Sequence, residues 1–183
     1  MSVLRSRVVV AGEPTVGKSQ IIHQYTRGTF NHNYEMTQGC EYTLKEIPID
    51  GQSYTSVELH IIDIAGQNIF KEITIDLLCK ANQIILVYDC TNPDSFRLLR
   101  DWHDSIRQEN SRVLSGVVIA NKCDLESKAA VSRDEGEAFA MSIGFEFFEV
   151  SALQSRGLED PFKALARNYY AKYEERVQIL LQN

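Results

Sequence analysis

Gly12-Glu13-Pro14-Thr15-Val16-Gly17-Lys18-Ser19 decides how this chain folds. The stretch fits the pattern G-x-x-x-x-G-K-[ST], which by residue frequencies arises by chance in roughly one chain per few hundred. Ahead of it, Arg7 to Ala11 reads as a buried strand; behind it, Ser19 to Arg27 reads as a helix. Glycines at both ends let the backbone turn tightly and come close to an anion. Successive N–H groups then form an anion-binding concavity, reinforced by the positive end of the following helix. The pattern makes Gly12 to Gln20 a candidate phosphate site. Lys18 is expected to reach the β- and γ-phosphates of a nucleotide, and the Ser19 hydroxyl to hold Mg²⁺.

Outward from this loop, strand-like and helix-like stretches alternate to the end of the chain. Glu41 to Pro48 and Ser56 to Asp63 alternate apolar and polar residues around Asp50-Gly51, as in an antiparallel hairpin. Ile84 to Tyr88 and Val117 to Ala120 are short apolar runs typical of parallel strands covered on both faces. Phe145 to Val150 reads as a further strand. Helices are expected over 73–80, 94–110, 133–142 and 158–180. This order predicts an α/β fold: a six-stranded, mostly parallel sheet with one antiparallel edge strand and helices on both faces. In such sheets ligands bind beyond the carboxyl ends of the strands, and each remaining motif falls there.

Asp63-Ile64-Ala65-Gly66-Gln67 follows the strand that ends near Ile62. Asp63 is a candidate Mg²⁺ holder, Gly66 lets a backbone N–H approach the γ-phosphate, and Gln67 can orient an attacking water. Asn121-Lys122-Cys123-Asp124 follows the Val117 to Ala120 strand. The Asp124 carboxylate can accept from both the N1–H and the exocyclic amine of guanine. Adenine has neither donor at those positions, and a site built around such bonds rejects it by about 10⁴-fold or more. Asn121 is expected to bind the base and tie its loop to the phosphate loop, with the Lys122 stem over the ring. Ser151-Ala152-Leu153 means little as a tripeptide, but after the last strand it offers the Ala152 N–H to the guanine carbonyl. Thr37 can give its hydroxyl to Mg²⁺ and its N–H to the γ-phosphate. That contact is lost on hydrolysis, which makes a switch. Phe30 can cover the base and Tyr34 can close over the phosphates; plain packing is the alternative for each. The candidate catalytic set is Gln67, Lys18 and Thr37, and the candidate metal set is Ser19, Thr37 and Asp63.

Composition narrows the function further. A net charge of -6 argues against a nucleic-acid binder. Four cysteines (Cys40, Cys79, Cys90 and Cys123) without CxxC spacing point to a reducing cytoplasmic setting rather than a disulfide or metal framework. Position 2 is serine and the last residues are Leu181-Gln182-Asn183, so no myristoyl or prenyl anchor is expected.

Together these motifs resemble the Ras superfamily of small GTPases over essentially the whole chain. Ile84-Ile85-Leu86-Val87-Tyr88-Asp89 and Phe145 to Ala152 are similar to the Rab branch. There are departures: Ile62 stands where Rabs usually carry tryptophan, Leu77-Leu78 replaces a usual tyrosine pair, and the cysteine-ending tail is missing. Tyr34-Glu35-Met36-Thr37-Gln38-Gly39, Ser56-Val57-Glu58-Leu59 and Asp160-Pro161-Phe162 resemble instead the Rab-like GTPase subunit of the intraflagellar transport B complex. The resemblance implies Mg²⁺ and GTP/GDP as ligands and a cilium or flagellum setting. It also implies a small β-sandwich partner subunit, docking on a coiled-coil heterodimer, and activating and exchange factors.

Two classes of function stay open: a switch whose GTP state recruits partners, and a constitutive structural subunit with nucleotide as a folding cofactor. An ATP-using enzyme with the same phosphate loop is disfavoured by Asp124. Pro14, nearest the γ-phosphate, fixes φ and removes one N–H, so loop shape and access for an arginine finger are expected to differ. Leu165, Tyr169, Tyr173, Val177 and Leu180 form a helical stripe, widened by Ala166 and Tyr170. Its first half is expected to pack on the sheet, and its end beyond Tyr173 to outrun the domain toward a partner.

Overall fold

The computed structural model describes residues 2–33, 36–37, 39–52, 54–64, 80–110 and 114–182. The central strands carry the longest apolar runs, and they are the most deeply covered. All of β4 (Gln83–Asp89) is buried, as is β5 (Ser115–Asn121) beyond its first residue. Such runs suit parallel strands with helices on both faces, since neither face needs a polar register.

These strands join β1 (Ser2–Ala11), β2 (Cys40–Pro48), β3 (Thr55–Ile64) and β6 (Glu146–Glu149) in one six-stranded sheet of order β2-β3-β1-β4-β5-β6. The β2–β3 pair is antiparallel, from Cys40 opposite Ile64 to Pro48 opposite Ser56, and the other pairs are parallel. The expected sheet is therefore the observed one. Alternate residues of β1 feed two cores. Val8 and Val10 face α1 (Lys18–Arg27) and α5 (Glu159–Leu181), which contribute Ile21, Ile22, Phe162 and Leu165. Val9 and Ala11 face the opposite core, which holds Leu99, Ile106 and Ala140. Tyr25 of α1 stacks flat on Phe162 of α5, with ring centroids 4.1 Å apart, and joins the two helices of the first face. Because β1 has β3 on one side and β4 on the other, its carboxyl end lies where the connections diverge, and a crevice opens there.

Several boundaries differ from the sequence expectation. β1 begins at Ser2 rather than Arg7, because it runs beside β3 from the Ser2–Thr55 pair onward. The helix expected over 94–110 is two, α2 (Pro93–Arg97) and α3 (Leu99–Glu109). The Asn92 side chain caps α2 by accepting from the Asp94 and Ser95 N–H groups, and Pro93 opens the first turn. At Leu98 ψ flattens to -8°. The turn there lets Phe96 reach Tyr88, at 4.9 Å between centroids, while Leu99 and Ile106 stay buried. α4 (Arg133–Ser142) matches its expected span and opens on a Ser132–Glu135 capping box. The expected helix over 73–80 lies outside the described residues except for Lys80, as do Cys79 and Leu77-Leu78.

Among the described residues no helix is long and apolar enough to cross a membrane. α5 buries Phe162, Ala164, Leu165 and Ala166, keeps Tyr169 and Tyr170 packed on the core, and is mostly exposed beyond them. Tyr173, Ile179, Leu180 and Leu181 are exposed at 42%, 53%, 76% and 76%.

Candidate nucleotide site

The loop after β1 needs its glycines. Gly12 has φ +145°, and a Cβ there would stand 2.2 Å from the Val87 carbonyl oxygen of β4. Gly17, at the N-terminus of α1, has φ +99°, and its Cβ would stand 2.3 Å from Asn121 Nδ2. Thr15 also holds a positive φ, 66°. The loop thus curls around Lys18, whose ammonium donates to the carbonyls of Gly12 at 2.8 Å and Glu13 at 2.9 Å. Burial lowers the Lys18 pKa, opposed by the Asp63 and Glu13 carboxylates. Val16 faces the core.

Ser19 starts a second group of oxygens. Its Oγ donates to Asp63 Oδ2 at 2.5 Å and stands 3.1 Å from Thr37 Oγ1. Asp63 is 2% exposed, and its other oxygen, Oδ1, is buried with no hydrogen-bond partner among the described residues. Burial raises the Asp63 pKa, and the Ser19 bond and the Lys18 charge act against that rise. A buried carboxylate oxygen without a partner is costly unless a cation completes it. Two hydroxyls and a carboxylate are hard oxygen donors of the kind Mg²⁺ takes. The residues present therefore fit Mg²⁺.

A pH dependence follows with a definite sign. The folded state holds the Asp63 proton more tightly than the unfolded chain, whose carboxyl titrates near 3.8. Metal-free stability from this group therefore falls as pH rises from there through the raised pKa. Cation binding strengthens over the same window. With GDP present and Mg²⁺ at a hundred times its Kd, the wild type should gain about 2.7 kcal/mol. Asp63→Asn should raise metal-free stability and lose the Mg²⁺-dependent gain. Thermal melts with and without Mg²⁺ check this; an equal response in both proteins contradicts it.

At the far end of the crevice, Asn121 (2% exposed) joins three segments. Its Nδ2 donates to the Val16 carbonyl at 2.8 Å, and its Oδ1 accepts from the Ala152 N–H at 3.2 Å. It ties its loop to the phosphate loop as expected. Both polar ends of its amide are engaged within the protein, and the Ala152 N–H expected to meet a base is turned to Asn121. Fully buried Ser151 donates to Asp124 Oδ1 at 2.6 Å and so aims that carboxylate. Lys122 sits at φ 64°, and its ammonium is 2.6 Å from Asp89 Oδ2. That ion pair anchors the stem beside the opening, a contact sequence reasoning missed because β4 and β5 are neighbours only in the sheet.

Between these two ends lies a cleft of about 340 Å³. Pro14, Thr15, Gly17, Lys18, Ser19 and Gln20 line it from the loop and α1, and Phe30 and Thr37 from the following loop. Asn121, Lys122, Asp124, Ala152 and Leu153 complete it. Asn31, His32, Met36 and Leu125 also line it and were not foreseen. No periodicity marks loop residues, although Asn31 and His32 directly follow Phe30; the His32 ring meets Phe30 edge-on at 5.1 Å. The Glu13 carboxylate points away from the cleft and accepts from the Trp102 indole N–H, so only the backbone of Glu13 is left to the phosphate site. Tyr34, Gly66 and Gln67 lie outside the described residues.

A mostly parallel sheet with this loop at its switch point, and helices on both faces, defines a P-loop G domain. The chain belongs to the Ras family of small GTPases, which it matches over residues 7–171. Members of this family are in general GTP hydrolases that bind GTP/GDP with Mg²⁺. The chain is 35% identical to the Intraflagellar transport protein 27 homolog of Trypanosoma brucei brucei, over 98% of this chain and 97% of that one. It is 36% identical to the protein of the same name from Mus musculus, over 96% of each chain. Ras-related protein Rab-8A of Gallus gallus is 34% identical over 94% of this chain and 82% of its own.

Proposed function

We propose that this protein is a guanine-nucleotide switch that hydrolyses GTP slowly and serves intraflagellar transport in a cilium or flagellum. The observation that carries the reading is the cleft with two chemically distinct ends. Lys18, Ser19 and Thr37 stand at one, with Ser19 bonded to the buried Asp63 carboxylate, and the Ser151-aimed Asp124 carboxylate stands at the other. The transport setting is supported by the names of the relatives.

Ser19, Thr37 and Asp63 would hold Mg²⁺, which would supply positive charge against the phosphate oxygens. Lys18 and the loop N–H groups from Glu13 to Ser19, apart from Pro14, would bind the phosphates and stabilise charge on the transferring phosphoryl group. The Gly66 N–H and the Thr37 N–H would meet the γ-phosphate, and Gln67 would orient the water. Tyr34 would close the opening, Gln20 would flank the phosphates, and Phe30 and Leu153 would cover the base. Such sites turn over at about 10⁻⁴ per second until a partner adds an arginine. Loss of the γ-phosphate would free the Thr37 segment and switch the surface presented to partners.

Tyr173, Ile179, Leu180 and Leu181 are exposed at the end of α5, and this end would serve as a contact surface for other transport subunits. A small β-sandwich partner and a coiled-coil heterodimer are the proposed neighbours, with activating and exchange factors acting on the cleft.

Single-turnover hydrolysis of bound GTP tests the reading, with wild type and Gln67→Leu, with and without a ciliary extract. The expected result is slow wild-type turnover that the extract accelerates and Gln67→Leu abolishes. GTP that stays intact under all conditions would overturn the switch in favour of a fixed structural nucleotide.

A further inference from the structure

Trp102 is the only tryptophan in the chain, and no motif assigns it to the phosphate site. Its indole Nε1–H donates to Glu13 Oε1 at 2.9 Å, across 89 positions of sequence. Glu13 is the second residue of the phosphate loop, and its carbonyl receives the Lys18 ammonium at 2.9 Å. One residue is therefore held at its backbone by the loop lysine and at its side chain by α3.

The chemistry favours a strong link. An indole N–H only donates and a carboxylate only accepts, so the bond has one polarity. Bonds to a charged acceptor are roughly twice as strong as neutral ones. Trp102 is half-buried against the core that holds Leu99 and Ile106, so α3 fixes where its N–H points. The same bond holds the Glu13 carboxylate in one place. Losing the Trp102 bond frees that carboxylate to move and loosens the strand-to-loop corner that carries the Lys18 contact.

We propose that Trp102 is a positioning residue for the bound nucleotide: by holding the Glu13 carboxylate it sets the first turn of the phosphate loop and couples α3 to the occupancy of the cleft. The inference rests on the guanine-nucleotide reading of the cleft. Coupling is reciprocal, so a contact on α3 that displaces Trp102 speeds nucleotide release, and nucleotide release disturbs Trp102.

The test uses the full chain loaded with N-methylanthraniloyl-GDP at fixed Mg²⁺, chased with excess GDP. Wild type, Trp102→Phe, Glu13→Ala and the double variant are compared. Each single variant should release label about tenfold faster (about 1.4 kcal/mol), and the double no faster than the faster single. In a separate run with unlabelled GDP, chelating Mg²⁺ to strip the nucleotide should shift wild-type tryptophan emission but not that of Glu13→Ala. A merely structural bond would lower the melting temperature without this emission signature. Should Trp102→Phe not fold, Glu13→Ala and the emission signal carry the test alone. Unchanged release in Glu13→Ala, or accelerations that multiply in the double variant, overturns the tether. Wild type that takes up no labelled GDP overturns the nucleotide reading itself, and the tether with it.

Discussion

Asp124→Ala should erase the preference of this protein for guanine. The wild type is expected to favour GDP over ADP by about 10⁴-fold or more, because only guanine offers the carboxylate paired donors. Asp124 is aimed at the cleft by Ser151, whose hydroxyl donates to Oδ1 at 2.6 Å, leaving Oδ2 and the remaining lone pairs for a ligand. Alanine removes the acceptor and leaves the Ser151 hydroxyl without that partner, so affinity for GDP falls while ADP binding changes little. Competition of GDP and ADP against a fluorescent nucleotide reads both numbers on one protein. A variant that keeps its preference would show that another group reads the base. Thermal melting separates that outcome from misfolding, since Asp124 lies on the cleft rim and not in the core.

Gly12→Ala should destabilise the fold itself by about 4 kcal/mol or more, at the upper end of what single substitutions do. The added methyl would stand 2.2 Å from the Val87 carbonyl oxygen, at φ +145°. Relief requires moving one of two central strands, since the obstacle is backbone rather than a rotatable side chain. β1 and β4 pair at this point through Ala11 and Leu86, and both residues are fully buried. Gly28→Ala provides the contrast. Gly28 closes α1 at φ +66° with nothing within 4 Å of a Cβ, so only the left-handed backbone penalty of about 1–2 kcal/mol applies. Denaturant unfolding of both variants checks the pair, and equal losses would contradict the steric account.

Asp63 and Trp102 stand outside the cleft lining, yet each is bonded to a residue of the phosphate loop or of the helix that follows it. Asp63 holds a buried oxygen with no partner among the described residues, and burial lowers the Lys18 pKa against the opposing pull of the Asp63 and Glu13 carboxylates. A substitution at Trp102, 89 positions away in sequence, is therefore expected to act on the Glu13 carboxylate of the loop.

Much of the architecture was legible in the chain, because it is written in local chemistry. Apolar runs such as Ile84 to Tyr88, short and rich in β-branched residues, favour buried strands between helices, and a Gly-x-x-x-x-Gly-Lys-Ser turn between a strand and a helix favours an anion-binding loop. Alternation of strands with helices then leaves few sheet topologies, and the observed order is one of them. The candidate residues of the cleft were legible for the same reason, being short motifs at strand ends.

What only the tertiary structure decided is how those motifs touch. The sequence contains Asn121 and Val16, but the bond between them spans 105 positions and exists because β5 and β1 flank β4. The Ala152 N–H is directed to Asn121, the Lys122 ammonium to Asp89 and the Glu13 carboxylate to Trp102. None of these has a local signal, since a loop side chain finds its partner only after the sheet has set which ends are neighbours. The same holds for the turn at Leu98 and the early start of β1, where packing on Tyr88 and pairing with β3 override local helix and strand preference. Local sequence determined the elements and the loop; the order of strands in the sheet determined which charges face one another across the cleft.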